Sequence, residues 1–163
     1  MRPPAIWRQS PHYRVAPNRD ITLVVLHATA TPTSQSPLAW LTNPESKVSA
    51  HYLIDTDGTL YQLVAERDVA WHAGKSEWKG LKHVNHFSIG IELVNTNDGR
   101  QPYLPSQLAA CTELCLQICN DYGLTSADVV AHAQIATPAG RKNDPVGFPW
   151  PQFRASLQKA GLA

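Results

Sequence analysis

Two histidines stand where apolar strands run out. Ile21-Thr-Leu-Val-Val-Leu26 is β-branched and apolar and ends at His27, and the short run Asp128-Val-Val-Ala131 ends at His132. In an α/β sheet that edge is where binding sites collect. Asp144 follows in the loop segment Gly140-Arg-Lys-Asn-Asp-Pro145. Two imidazoles and one carboxylate form a three-ligand set of the kind that holds catalytic zinc, with a fourth position left for water. Spacing alone leaves the other reading open, in which each histidine is a hydrogen-bonded structural residue. The helical His-Glu-x-x-His signature of zinc proteases is absent.

Glu92 belongs to Ser88-Ile-Gly-Ile-Glu-Leu-Val-Asn95, which alternates like a strand. Ile89, Ile91 and Leu93 face one way and Glu92 the other. On a solvent face Glu92 is an ordinary surface charge. Lining a cleft, it would lose solvent, its pKa would rise and it would suit a general base. Lys142 is either a solvated loop charge or, beside a metal, a stabiliser of a developing oxyanion. Trp71, His72, Trp78, His83 and His86 form an aromatic, His-rich stretch interspersed with Lys75, Lys79 and Lys82. Such a stretch would line a groove for a sugar or peptide, or form a surface loop with snorkelling side chains.

These residues need a scaffold. Residues 1–20 read as an irregular, Pro-rich approach. Pro37 to Leu41, with Trp40, begins a short helix that stops near Asn43-Pro44. Val48–Asp55 reads as a strand, Thr56-Asp57-Gly58 as a turn and Thr59–Val64 as the hairpin partner, with Tyr52 and Tyr61 packed within it. Ser106–Tyr122 carries apolar residues at helical spacing, and Gln152–Lys159 closes the chain as a helix. Residues 133–151 read as loop. Cys111, Cys115 and Cys119 fall on one stripe of the longer helix. They point the same way and bridge poorly, so they read as a buried face rather than a disulfide framework or a metal site. Strands alternating with helices give an α/β fold with a mixed central sheet.

Composition narrows the function. The chain has 163 residues, the length of one domain, and is read as a single unit over 1–163. Its hydrophobic content of 43% and net charge of +1 exclude strong disorder and make a nucleic-acid partner unexpected. No apolar run approaches the roughly 20 residues of a membrane span. The start, Met1-Arg-Pro-Pro-Ala-Ile-Trp-Arg-Gln-Ser10, has no apolar core of secretory length. A cytoplasmic location is therefore expected, unless export uses another route. The oligomeric state is not legible.

Six segments occur in order: Val25-Leu-His-Ala-Thr-Ala30, Val48-Ser-Ala-His-Tyr-Leu-Ile54, Ala70-Trp-His-Ala-Gly74, Ser88-Ile-Gly-Ile-Glu-Leu93, Val129-Val-Ala-His132, and Arg141-Lys-Asn-Asp-Pro145 followed by Phe148-Pro-Trp150. Together they resemble the zinc-dependent N-acetylmuramoyl-L-alanine amidases. That group spans phage lysozyme-amidases, bacterial amidases of cell-wall recycling and animal peptidoglycan recognition proteins. The resemblance covers about residues 20–150. It implies a central mixed β-sheet flanked by α-helices, with a zinc site at the sheet edge. It makes His27, His132 and Asp144 the ligands of one Zn2+, Glu92 the catalytic carboxylate and Lys142 the catalytic lysine. It places His51, Trp71, His72 and Asn85 near the substrate groove. The substrate it implies is peptidoglycan or a muropeptide, cut between N-acetylmuramic acid and L-alanine. Two rivals differ in class: a non-catalytic wall-binding module, and a zinc peptidase cutting within the stem peptide. The loop before Asp144 is longer than in the bacterial members, with Thr137-Pro-Ala-Gly140 inserted, and Val146 replaces the glycine that usually follows Asp-Pro. The short segment between His27 and Val48 resembles the broad-specificity, envelope-facing members.

Overall fold

A computed structural model describes residues 2–163. Its centre is a six-stranded sheet in the order β1-β5-β4-β9-β3-β10. The strands are β1 (Ile6–Trp7), β3 (Leu23–Ala28), β4 (Tyr52–Ile54), β5 (Leu60–Gln62), β9 (Ser88–Leu93) and β10 (Val129–Ala131). Only β4 and β5 run antiparallel, as a hairpin; the other neighbours are parallel, so the sheet is mixed. The hairpin turns at Gly58, where φ is +90° and an added Cβ would lie 2.9 Å from the Ser106 carbonyl oxygen. Conformation and space both require glycine there.

The two central strands explain the layers. β3 and β9 are buried on both faces, and their residues alternate between two different neighbours. Val24, Leu26, Ile89, Ile91 and Leu93 pack with Tyr52 and Ile54 against two helices, α2 (Pro105–Tyr122) and α4 (Trp150–Lys159). From α2 the layer receives Cys111, Leu114, Cys115, Ile118 and Cys119; all three cysteines are free thiols in this core. Gln107, also on α2, donates its buried Nε2 to the carbonyls of Ile54 (3.1 Å) and Val94 (3.0 Å), which docks the helix on the ends of β4 and β9. On the opposite face, Leu23, Val25 and Val130 pack with Ala73, Val84 and Ile135. That face is covered by the 70–87 segment and two short helices, α1 (Gln35–Leu41) and α3 (His132–Ile135).

The structure adds elements that the sequence does not announce. The stretch 1–20, read as irregular, contributes edge strand β1 and a second short strand, β2 (Tyr13–Arg14), paired with β6 (Val69–Ala70). The long loop after Gly74 folds into a small hairpin, β7 (Glu77–Trp78) with β8 (Leu81–Lys82). His132 opens α3 instead of a loop. Two-residue strands are too short to show a hydrophobic period, which is why none was legible. Among the described residues no helix is long and apolar enough to cross a membrane.

One ion pair ties the N-terminal approach to the sheet. The Glu66 carboxylate accepts from Arg2 at 2.5 and 2.6 Å and from the Tyr52 and Tyr122 hydroxyls at 2.6 and 2.9 Å. Burial disfavours its charge, but Arg2 and the two phenols outweigh burial and hold its carboxyl below the ordinary 4.5. A depressed folded value means that this stabilisation is complete above the unfolded pKa and is lost as pH falls through the folded one. Glu66→Gln is therefore expected to lower the melting temperature at neutral pH, and the gap from the parent should close in acid. Melting curves of both proteins from about pH 7 to 3 check this; a gap independent of pH would refute it.

Candidate metal centre and cleft

Strand register builds the site. In the parallel pairing of β3 with β9, His27 lies beside Glu92. In the pairing of β3 with β10, Ala131 lies beside Leu26, so the next residue, His132, comes level with His27. The three side chains therefore project from the same face at the carboxyl ends of adjacent parallel strands, about 4.8 Å apart. Asp144 arrives from the loop after α3. Its backbone carbonyl accepts from Ala133 N–H (3.0 Å) and its Oδ2 accepts from Ala28 N–H (3.3 Å).

His27 Nδ1 and His132 Nδ1 are 3.0 Å apart, and Asp144 Oδ2 lies 3.2 Å from the second and 3.6 Å from the first. All three residues are buried. Ligands of a tetrahedral zinc at about 2.0–2.1 Å must sit roughly 3.3 Å from one another. The observed triangle has edges of that size, and its N, N, O donor set suits a divalent ion. His132 is oriented by its other nitrogen, since Nε2 lies 3.3 Å from the Ala73 carbonyl, which can only accept. That bond places the proton on Nε2 and leaves a lone pair on Nδ1 facing the triangle. Burial lowers the His27 pKa to about 4, which keeps the ring neutral as a ligand must be. Burial opposes the charge on Asp144, a cost that a cation held in the triangle would offset.

Glu92 lines the same cleft, and its buried Oε2 has no hydrogen-bond partner. Burial raises its pKa to about 8, the Asp144 charge adds to the rise and Lys142 opposes it. A carboxyl that titrates near neutrality can both take up and return a proton. Lys142 is exposed at the cleft edge, and its charge reaches both Glu92 and His27. The cleft encloses about 470 Å3. Its walls carry exposed apolar side chains: Trp40 from α1, Val48 and Trp71.

The other residues expected at a groove divide. Trp71 is on the wall, against the His12 ring at 5.2 Å between centroids. His72 is half-buried in the floor beneath the triangle. Asn85 lies outside the main cleft. Its Oδ1 accepts from the backbone N–H of His72 (3.1 Å) and Ala73 (2.7 Å), which fixes the shape of that segment. His51 is not a wall residue. It is fully buried one row back in the sheet, where Nδ1 accepts from Gly90 N–H and Nε2 meets the Asp68 carbonyl, both at 3.0 Å. Trp78 packs against the second core cluster, away from the cleft. Trp40 was not anticipated as a wall residue; its one sequence signal is a large aromatic on a short helix that opens beside Pro37.

Comparison with known proteins agrees with this geometry. Residues 17–147 match the family model described as N-acetylmuramoyl-L-alanine amidase. The chain is 39% identical over 148 residues to N-acetylmuramoyl-L-alanine amidase AmiD of Escherichia coli K12, covering 82% of this chain and 52% of AmiD, so it spans about half of that relative's length. It is 33% identical over 170 residues to 1,6-anhydro-N-acetylmuramyl-L-alanine amidase AmpD of Haemophilus influenzae, covering 92% of this chain and 90% of AmpD. The solved complex of E. coli AmiD with the substrate anhydro-N-acetylmuramic acid-L-Ala-D-gamma-Glu-L-Lys superposes with a TM-score of 0.75 at 38% identity, over 83% of this chain and 57% of that one. With the matched region spanning every element that carries the His27, His132, Asp144 and Glu92 cluster, the chain belongs to the N-acetylmuramoyl-L-alanine amidase family.

Proposed function

We propose that this chain hydrolyses the amide joining the lactyl group of N-acetylmuramic acid to L-alanine in peptidoglycan fragments, using one zinc ion held by His27, His132 and Asp144. The observation that carries this reading is the triangle of ligand atoms sharing a cleft with an unpartnered Glu92 oxygen. A zinc ion there supplies Lewis acidity and brings the pKa of a water down to about 7. Glu92 takes the proton of the attacking water at Oε2 and returns it to the departing alanine nitrogen. Lys142 Nζ balances the negative charge that grows on the former carbonyl oxygen. Trp71 and Trp40 offer flat apolar faces for the muropeptide, and Val48 lies on the same wall.

Lys142→Ala is expected to reduce kcat by about 10²–10³, corresponding to the loss of one oxyanion stabiliser. Steady-state kinetics on a soluble muropeptide measure it; a change smaller than threefold would remove Lys142 from the scheme. The reading as a whole is tested by mass spectrometry of products from anhydro-muropeptide and from intact sacculi. A free lactyl carboxylate with a new L-alanine amino terminus supports it. Cleavage inside the stem peptide would instead identify a zinc peptidase, and binding without cleavage a recognition module.

A further inference from the structure

We infer, resting on the zinc-amidase reading, that His72 is a positioning residue: through Ser88 it fixes which ring nitrogen of His27 carries the proton. The direction of each hydrogen bond follows from the one before it. Ser88 Oγ lies 2.6 Å from the Val84 carbonyl oxygen, which can only accept, so the Ser88 hydroxyl hydrogen is committed there. Ser88 Oγ is then an acceptor toward His72 Nε2 at 3.1 Å, which places the His72 proton on Nε2. His72 Nδ1 is left with a lone pair, and it faces His27 Nε2 at 3.0 Å. His27 must donate from Nε2, so its Nδ1 lone pair points into the triangle with His132 Nδ1 and Asp144 Oδ2. The second histidine is set by the neighbouring residue of the same segment, through the Ala73 carbonyl.

Gly90 makes room for this chain. A Cβ at position 90 would lie 2.4 Å from His72 Cγ, inside the ring's van der Waals envelope. No left-handed φ is involved, so glycine is required at this position for space alone. The Asn85 bonds to the backbone of His72 and Ala73 hold the ring over that gap. A ligand histidine whose free nitrogen loses its acceptor typically binds metal 10–100-fold more weakly.

Two substitutions separate chemistry from bulk. His72→Phe keeps a ring but offers His27 no acceptor; His72→Asn places an amide oxygen near the position of Nδ1. The expected result is a zinc dissociation constant about 10–100-fold higher for H72F and within about threefold of the parent for H72N, read by competition with a chromophoric chelator. Imidazole 15N spectra of the unsubstituted protein, with and without zinc, should show His72 protonated at Nε2 and bare at Nδ1. This spectrum decides the matter alone if H72F does not fold. Parent-like zinc affinity in H72F, equal weakening in H72N and H72F, or a proton on His72 Nδ1 would each overturn the assignment. None of these readouts uses turnover, so their failure is distinguishable from failure of the amidase reading, which shows in product masses.

Discussion

Glu92→Gln is expected to lower kcat for muropeptide hydrolysis by about 10²–10⁴ while zinc affinity stays within a few-fold. Glutamine matches the shape of glutamate but cannot carry a proton away from water. The surroundings make this a clean test. Glu92 Oε2 is buried and has no partner, so no native hydrogen bond to it is lost. Burial and the Asp144 charge already work against the ionised carboxyl, raising its pKa to about 8. Neutralising it should therefore leave the melting temperature unchanged or slightly higher. Steady-state kinetics alongside a melting curve check both halves. Turnover within tenfold of the parent would dismiss Glu92 as the proton carrier.

Stripping the ion is expected to lower the melting temperature by about 5–15 °C. Two ring nitrogens and a carboxylate oxygen converge within 3.6 Å, with little water to screen them. Without a cation their lone pairs oppose one another. A ligand present at 100 to 1,000 times its Kd stabilises the native state by about 2.7–4.1 kcal/mol. For a domain of this size each kcal/mol moves the midpoint by about 2–4 °C. Asp144→Asn keeps the bond from Ala28 N–H but weakens the hold on the ion, so zinc should no longer raise its midpoint. Calorimetry with and without chelator measures these shifts. An unchanged midpoint in the parent would mean that no ion is tightly held.

The central strands and long helices were legible because they satisfy simple rules. Leu23–Leu26 is a continuous apolar run, as a doubly covered parallel strand must be. The α2 helix carries its cysteines and leucines at helical spacing and buries that stripe as expected. The positions of His27 and His132 at strand ends, with Asp144 in the loop beyond, suggested a three-ligand set, and the family resemblance singled that reading out over two structural histidines. The roles of His51 and Asn85 were harder to read. Both are polar residues beside recognisable motifs, but depth depends on strand register and on which loop covers which row, and neither is written in local sequence. His51 falls level with Gly90 rather than with Glu92, one pleat removed from the cleft. Trp40 was missed because a single aromatic on a seven-residue helix shows no period that separates wall from core.

The alternation along β3 and β9 has a consequence for assembly errors. Leu26 and Ile91 face the helices while their sequence neighbours His27 and Glu92 face the opening. A slip of one residue by β3 would turn the His27 imidazole into the apolar layer under the helices and set Leu26 in its place at the ligand triangle. The ligand triangle is thus aligned by the same side-chain fit that fills the core beneath it, and a misthreaded β3 would lose both in one event.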